Sequence, residues 1–438
     1  MNEIVKTKGG LVKGYEANDS YVFRGIPYAE TLRFELPKEY KWEGTFDATK
    51  GETDIYQYQS YMKDESFYGK EFGEEREFTY ADSPMTLNII TPKNASKLPV
   101  LIFIHGGGFE TGTVGAKPYG ITFEYSKRVI VYVSIGYRMT VFGWYRNMNF
   151  GLYDQEFAIK WVYQNIEAFG GDKDNITIAG QSAGAMSVID LLLTKRLEGI
   201  VKGGIVMSGA GPLPNLLGPK EKEKTDWFWD NVEKGAGCET LDDLKKCDPE
   251  VLWKSYYTER SKGVPLYLQQ PGIDGTIIPK APSKCFKEKL ELDVPIIVGV
   301  TGQDFMPLVI YLLALKWAKD NAKKHKSPIY GYFFDKTPPG GDFKAYHAVD
   351  LWYAFGNMDK CWREFTEDDY KLKDLMIDYF ASFIKTKNPN NENLKEWNPV
   401  TKKFKGFRYF NGLDDGYILP RKAKKIHLNV LLKDHGPM

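Results

Sequence analysis

The chain has 438 residues, of which 42% are apolar and 27% are charged, and its formal net charge is +1. This composition can supply a large core and excludes a chain dominated by disorder. The near balance of charge gives no electrostatic reason to expect nucleic acid or an anionic membrane as a partner.

The first 80 residues combine short strands with an aromatic stretch. We predict strands at Leu11–Val12 and Tyr21–Phe23 and a turn at Gly25-Ile26-Pro27. The stretch from Tyr56 to Tyr80 is charged, rich in aromatic residues and without clear periodicity. It is either a wall or lid over a site or an exposed loop that packs its own aromatic side chains.

Beyond Pro84, predicted strands and helices alternate. Short apolar, β-branched runs predict strands buried on both faces, and apolar residues at helical spacing predict the helices. The predicted strands are Leu87–Ile90, Val100–Ile104, Val129–Ile135, Ile176–Ala179, Gly204–Met207, Val294–Val300 and Ile329–Phe334. The predicted helices are Leu152–Phe169, Ala183–Leu193, Leu312–Lys324, Val349–Phe355 and Tyr370–Ile384. This alternation predicts an α/β fold with a mostly parallel sheet.

We expect one domain over residues 1–438, with helical excursions at about 212–285 and 305–325 that form a cap-like subregion. The ten N-terminal residues lack the continuous apolar region of a signal peptide. The longest apolar run, Met306 to Leu315, is about half of the ~20 residues that a membrane span needs.

The cysteines form no CxxC pair, so neither a zinc ribbon nor a thioredoxin-type site is indicated. We expect reduced thiols, with a local disulfide between Cys238 and Cys247 as the alternative. The other two cysteines are Cys285 and Cys361.

A GxSxG motif, Gly180-Gln181-Ser182-Ala183-Gly184, separates a predicted strand from a predicted helix. Such a turn lifts the serine Oγ above the carboxyl edge of the sheet, and small neighbours relieve the crowding. The helix also directs backbone N–H groups and the positive end of its dipole at the site. A short motif of this kind also occurs in ordinary Gly-rich connections, but its position between strand and helix favours Ser182 as a nucleophile.

A glycine run, His105-Gly106-Gly107-Gly108-Phe109, follows the strand Val100–Ile104. Backbone N–H donors that approach an oxyanion closely require glycines, and this run is typical of lipases and esterases. We predict an oxyanion hole formed by Gly107, Gly108 and the N–H of Ala183. A phosphate-binding loop is excluded because no GK[ST] follows and no GxGxxG fits the run.

The candidate base follows from elimination among five histidines. In the α/β-hydrolase order the acid and then the histidine follow the serine. His105 precedes the serine, His325 lies at a lysine-rich helix end that we interpret as solvated, and His427 and His435 follow the last strong elements. We therefore predict His347 as the base.

The candidate acid lies between the serine and His347. Asp304 follows the predicted strand Val294–Val300 closely, as an acid at a strand end should. The competitor, Asp274 in Gly272-Ile273-Asp274-Gly275, is more typical of a turn. We predict Asp304.

These motifs and several others resemble the type B carboxylesterase and cholinesterase family. The resemblance runs from about residue 9 to 385 and includes Phe23-Arg24-Gly25-Ile26-Pro27-Tyr28-Ala29, Arg33-Phe34, Pro37, Trp42, Leu87-Asn88-Ile89, Tyr137-Arg138, Gly151-Leu152-Tyr153-Asp154-Gln155, Trp161-Val162, Asn165-Ile166, Phe169-Gly170-Gly171-Asp172, Ser208-Gly209 and His347-Ala348-Val349-Asp350-Leu351.

The resemblance implies an α/β-hydrolase fold and a serine esterase that needs no cofactor or metal. It places the acid after Gly299-Val300, which supports Asp304, although the family more often has glutamate followed by glycine there. Gln181 stands where a glutamate is common. The family's EDCL stretch reads Asp82-Ser83-Pro84-Met85, so its early disulfide cysteine is missing, which agrees with a reducing compartment. The family's ion pair in this stretch would join Arg33 to Asp82.

We therefore expect a cytoplasmic carboxylic ester hydrolase that forms a covalent acyl-enzyme on small or aryl esters. The expected partner is a small-molecule ester, with no nucleic acid and no membrane span; a monomer is plausible. The alternatives are a non-catalytic binding relative of the same family and an amidase or long-chain lipase on the same scaffold.

Overall fold

The computed structural model describes residues 3–51, 53–57, 66–73, 85–214, 218–341, 343–413 and 416–433. The strands are β1 (Ile4–Lys6), β2 (Leu11–Lys13), β3 (Tyr15–Ala17), β4 (Ser20–Glu30), β5 (Lys38–Glu39), β6 (Thr45–Asp47), β7 (Met85–Pro92), β8 (Leu98–Ile104), β9 (Val131–Ile135), β10 (Gly171–Gln181), β11 (Val201–Met207), β12 (Ile296–Thr301), β13 (Ile329–Phe334), β14 (Phe407–Phe410) and β15 (Tyr417–Ile418).

The α-helices are α1 (Phe67–Phe72), α2 (Glu124–Lys127), α3 (Thr140–Trp144), α4 (Phe150–Asn165), α5 (Ala183–Leu191), α6 (Asp226–Ala236), α7 (Leu241–Lys246), α8 (Pro249–Arg260), α9 (Pro282–Glu288), α10 (Pro307–Lys324), α11 (Asp350–Phe355), α12 (Glu367–Thr386) and α13 (Pro420–Lys433).

One large mixed sheet organises the molecule, with the strand order β15-β14-β13-β12-β11-β10-β8-β9-β7-β4-β3, and β5 pairs with β4. Neighbours from β9 to β14 are parallel, and the pairs toward both edges are antiparallel. Because β8 and β10 are parallel neighbours, the loops that follow them leave the same edge of the sheet. Ligand sites of open α/β sheets lie at that edge.

The central strands are buried on both faces because helices cover each side. In β8, Leu101 and Phe103 pack into one core cluster and Ile102 into another, as a period of two requires. Helix α10 joins β12 to β13 and contacts both strands. Helix α12 buries Leu372, Met376 and Phe383 along one side.

The strands and helices predicted beyond Pro84 have counterparts in the structure, with ends that move by a few residues. The predicted turn at Gly25-Ile26-Pro27 is wrong, because β4 continues through it. The register with β7 shifts between Phe23 and Ile26, and Gly25 takes a φ of 68°. A bulge of this kind bends a strand without ending it.

Three further features of the described residues bear on membrane spans, disulfides and metal sites. No helix in the described part of the chain is long and apolar enough to cross a membrane. All four cysteines are free, so Cys238 and Cys247 form no disulfide here. Within the described ranges, no group of three or more His, Cys, Asp or Glu side chains could hold a metal ion.

Candidate active site

Ser182 occupies a sharp turn between β10 and α5. Its backbone has φ 55° and ψ −123°, a conformation that is costly for a residue with a Cβ. The neighbours are small because there is no room: a Cβ on Gly184 would lie 2.1 Å from the carbonyl oxygen of Ile104, and one on Gly180 would lie 2.2 Å from that of Gly184. The Ser182 N–H donates to Met207 O at 2.8 Å, which ties the turn to β11.

A chain of hydrogen bonds joins Ser182 to the two other predicted triad residues. His347 Nε2 lies 2.9 Å from Ser182 Oγ, and His347 Nδ1 is bonded to Asp304 Oδ1. The Asp304 carboxylate also accepts the backbone N–H groups of Thr301, at 3.1 Å, and Phe305, at 2.8 Å. The structure thus brings together three side chains that the sequence places 165 and 43 residues apart.

Burial and charge act in opposite directions on this pair. The side chain of Asp304 is 0% exposed and that of His347 is 17% exposed. Burial alone would lower the pKa of His347, but the Asp304 carboxylate and its hydrogen bond outweigh burial, and the pKa is raised above 6.5. Burial alone would raise the pKa of Asp304, but the charge and hydrogen bond of His347 bring that pKa below its ordinary value. Asp304 is therefore ionised at neutral pH and favours a protonated imidazole.

The glycine loop after β8 lies directly against the Ser182 turn. A Cβ on Gly106 would lie 2.6 Å from Gln181 O and 3.1 Å from Ser182 Cβ. Gly107 has a φ of 110°, and a Cβ there would lie 1.9 Å from Thr111 O. Gly108 has a φ of 64° and borders open space. The loop therefore presents its backbone, rather than side chains, beside the serine.

The third predicted donor, Ala183, is the first residue of α5. The first N–H groups of a helix have no partner within the helix, so this N–H is free to serve a ligand. Ala183 adjoins Ser182 in the chain, and Gly107 and Gly108 follow Gly106, whose Cβ position lies 3.1 Å from Ser182 Cβ, so the predicted donors belong to the two segments that meet at the serine.

Three side chains to which the sequence analysis gave no role hold the segment from His105 to Gly112 by hydrogen bonds. Gln57 donates to Gly112 O at 3.0 Å and accepts the Gly112 N–H at 2.8 Å. The hydroxyl of Tyr137 donates to His105 O at 2.8 Å, and Trp144 Nε1 donates to Phe109 O at 2.9 Å. Tyr137 also stacks on the ring of His105, with 4.5 Å between centroids, and Trp144 packs edge-on against Phe109 at 5.0 Å. Each of the three side chains lies between 32 and 55 residues from its hydrogen-bond partner, so no local sequence pattern reveals these contacts.

Two polar side chains face the base. Gln181 Nε2 lies 3.3 Å from His347 Nε2. Asp350 is fully buried and accepts the hydroxyl of Tyr332 at 2.7 Å, and burial raises the pKa of Asp350 to about 6. The charge of Asp350 contributes to the raised pKa of His347. The sequence drew attention to Asp350 only as part of the family block.

The alternative candidates for the acid and the base lie outside the site formed by Ser182, His347 and Asp304. Asp274 accepts the backbone N–H groups of Thr276 and Ile278 in a turn, as its sequence context suggests. His427 is buried against Phe333, with 5.0 Å between ring centroids.

The interpretation of His325 as solvated is wrong. Its side chain is only 6% exposed, and its Nε2 lies 2.6 Å from Glu291 Oε1. The prediction rested on the neighbouring lysines, which lie on the exposed side of the helix end, whereas His325 points toward Glu291. His435 and Asp82 lie outside the described residues, and Arg33 donates to Leu244 O at 3.2 Å.

A parallel-centred sheet with a serine on a strained strand-to-helix turn and a glycine loop beside it defines an α/β-hydrolase. The chain belongs to the Carboxylesterase family, whose sequence model matches residues 1–321 and 308–412. This confirms both the family and the fold that the sequence predicted.

Individual relatives agree with this assignment. The chain is 29% identical to the para-nitrobenzyl esterase of Bacillus subtilis (strain 168), over 89% of this chain and 91% of the relative. It is 30% identical to gut esterase 1 of Caenorhabditis elegans, over 69% of this chain and 54% of the relative.

Solved structures give the same result. A PNB esterase superposes with a TM-score of 0.84 at 23% identity, over 97% of this chain and 99% of that chain. The Geobacillus stearothermophilus carboxylesterase EST55 superposes with a TM-score of 0.80 at 25% identity, over 97% of this chain and 100% of that chain. The protein is a serine carboxylesterase.

Proposed function

We propose that the protein hydrolyses small or aryl carboxylic esters through Ser182 as nucleophile, His347 as general base and acid, and Asp304 as the residue that orients the imidazole. The observation that carries this proposal is the continuous hydrogen-bond chain from Ser182 Oγ through both nitrogens of His347 to Asp304. This arrangement leaves His347 Nε2 facing the serine hydroxyl, as proton abstraction requires.

The reaction has two acyl-transfer steps. His347 takes the Ser182 proton as Oγ attacks the ester carbonyl, and the backbone N–H groups of Gly107, Gly108 and Ala183 stabilise the oxyanion. His347 then protonates the leaving alcohol, and the acyl group stays on Oγ. A water molecule, deprotonated by His347, attacks the acyl carbon; the bond between that carbon and Oγ then breaks, His347 returns the proton to Oγ, and the carboxylic acid is released. Asp304 remains ionised and stabilises the imidazolium in both steps.

The substrate class rests on the relatives. The para-nitrobenzyl esterase matches nearly the whole chain, and its name indicates an aryl-containing ester. A bile salt-activated lipase of Bos taurus is 27% identical over 97% of this chain, so the long-chain alternative has a relative as well. A panel of p-nitrophenyl esters of increasing acyl length, together with the matching anilides, separates the esterase from the lipase and amidase alternatives.

The nucleophile is tested by covalent labelling. An organophosphonate probe should modify Ser182, and Ser182→Ala should remove the adduct and nearly all hydrolysis of p-nitrophenyl acetate while leaving the protein folded. The loss should be on the order of 10⁴-fold or more.

Ser187→Ala is the matched control on the same helix. Ser187 Oγ accepts Gln155 Nε2 at 3.1 Å, so this change removes a buried hydrogen bond but should leave labelling intact. Retention of most activity in Ser182→Ala contradicts the proposal.

A further inference from the structure

A buried polar cluster lies behind the loop that carries His347. It consists of Glu71, Tyr346, Trp362 and Arg363, and we call it the Glu71 clamp. The side chains of Glu71 and Arg363 are both 0% exposed. Burying a charged pair completely is costly unless its geometry and hydrogen bonding are very good. The presence of the buried Glu71–Arg363 pair next to the loop of the candidate base therefore calls for a physical explanation.

The Glu71 carboxylate is saturated with donors. It accepts the hydroxyl of Tyr346 at 2.6 Å, Trp362 Nε1 at 3.1 Å and the guanidinium of Arg363 from both Nε and Nη2. Arg363 Nη1 also donates to Pro339 O at 2.5 Å, at the start of the same loop. Charge-assisted bonds with this directionality fix the groups that make them.

Tyr346 is the residue immediately before His347, and the clamp holds it from one side. The acid loop holds it from the other, because Gln303 pairs with Tyr346 as an isolated parallel bridge and the Gln303 N–H donates to Ala345 O at 2.7 Å. Gln303 in turn precedes Asp304. The backbone that leads to His347 is therefore anchored both to the loop that carries Asp304 and to Glu71.

Glu71 comes from α1, which lies inside the aromatic stretch noted in the sequence. Phe67 of α1 packs edge-on against Tyr346, with 4.9 Å between ring centroids, and Phe72 stacks on Trp352 at 5.9 Å. The Gly69 N–H donates to Ser66 Oγ at 3.0 Å, which caps the N-terminus of the helix. Aromatic packing thus fixes α1 around the carboxylate.

We propose that the Glu71 clamp positions the candidate base: Glu71, acting through Tyr346 and Arg363, fixes the His347 loop so that Nε2 stays within hydrogen-bond distance of Ser182 Oγ. Glu71, Tyr346 and Arg363 are positioning residues, because none of them touches the serine or the imidazole. The proposal rests on the triad roles given under Proposed function. The proposal gives α1 the role of a rigid support for His347.

The test compares two clamp variants with two matched controls. Tyr346→Phe removes only the hydroxyl that meets Glu71, and Glu71→Gln removes the carboxylate charge at constant size. The control for the first is Tyr353→Phe, since Tyr353 is equally buried and donates to Asp369 Oδ1 at 2.8 Å. The control for the second is Glu156→Gln, since Glu156 is a buried carboxylate that accepts Arg196 Nε at 2.8 Å, beyond the far end of α5 from Ser182.

The clamp variants should lower kcat for p-nitrophenyl acetate and the rate constant for phosphonylation of Ser182, with little change in KM. Displacements of about 1 Å at a reacting group can cost on the order of 10²-fold, so we expect losses of about 10- to 100-fold for Glu71→Gln and smaller losses for Tyr346→Phe. In the double variant the second change should add little, because both act through one contact.

A spectroscopic readout separates positioning from loss of stability. The downfield proton NMR resonance of the His347–Asp304 hydrogen bond should broaden or disappear in the clamp variants and persist in both controls. The controls should lose thermal stability to a similar extent and keep kcat. If Glu71→Gln fails to fold, Tyr346→Phe alone decides the result.

Two failures are distinguishable. A wild-type protein that gives no adduct on Ser182 overturns the triad assignment and the clamp together. A wild-type protein that labels normally, with clamp variants whose kcat and NMR resonance match those of the controls, overturns the clamp alone and leaves the triad in place.

Discussion

The two halves of the candidate site are held in different ways. Ser182 and the glycine loop are positioned by backbone, since β8 and β10 are parallel neighbours and their loops meet with only glycine-sized gaps between them. His347 is positioned by side chains that come from distant parts of the chain, such as Glu71, which meets Tyr346 across 275 residues.

This difference determines how each half should respond to mutation. A gap that admits only hydrogen tolerates no added methyl group, so the serine half should be broken by small increases in size. The histidine half depends on charge and hydrogen bonding, so it should be broken by changes that leave size unaltered. The following predictions test that contrast, from the largest expected effect to the smallest.

Among the variants that test this contrast, the largest effect is expected from Asp304→Asn, which changes hydrogen bonding without changing size. An amide in place of the carboxylate cannot stabilise the imidazolium, and it favours the tautomer of His347 that no longer accepts the serine proton. We expect kcat/KM for p-nitrophenyl acetate to fall by about 10³- to 10⁴-fold. Asp274→Asn is the matched control and should keep activity while weakening its turn. Activity that is lost in Asp274→Asn and kept in Asp304→Asn contradicts the choice of acid.

A smaller loss is expected from Gly106→Ala, which changes size without changing charge. The added Cβ would lie 2.6 Å from Gln181 O, so the glycine loop must move away from the serine. Losing one oxyanion donor costs on the order of 10²- to 10³-fold in kcat. Gly235→Ala in α6 is a remote control whose Cβ would crowd Ser255 Oγ at 2.3 Å, and it should affect only stability. Equal kcat values for the two variants would show that the backbone contact is not critical.

The same contrast explains what the sequence could predict. Ser182 and the glycine loop lie in contiguous motifs next to buried strands, so their chemistry and their meeting point are both readable from local patterns. His347 and Asp304 were found by elimination and by chain order. The contact between them depends on where long connections end, which no local pattern specifies.

The missed features share that physical origin. The Glu71–Arg363 ion pair joins residues 292 positions apart, and nothing in either neighbourhood reveals the partner. The strands β14 and β15 have four and two residues, too short for a periodic pattern to emerge. The turn predicted at Gly25 was wrong because glycine and proline also occur at bulges within strands, and only the pairing with β7 distinguishes the two.

The mildest expected effect concerns Gln181, which lies where the two halves meet. Its amide nitrogen is 3.3 Å from His347 Nε2, so Gln181→Glu would place a negative charge beside the imidazole. That charge favours the imidazolium and should raise the pKa of His347 further above its ordinary value. Only the neutral imidazole accepts the serine proton, so activity is lost as pH falls through this pKa.

The acid limb of the pH profile of kcat/KM should therefore move to higher pH in Gln181→Glu, with activity reduced several-fold near neutrality and recovered in alkaline buffer. Gln164→Glu is the control, because Gln164 is exposed and bonded to Lys8, and the same charge there should leave the profile unchanged. A shift in both variants would indicate a general effect of net charge. A shift in Gln181→Glu alone would show that the side chain beside the nucleophile influences the protonation of His347, and thus that the two halves of the site are electrostatically linked at Gln181.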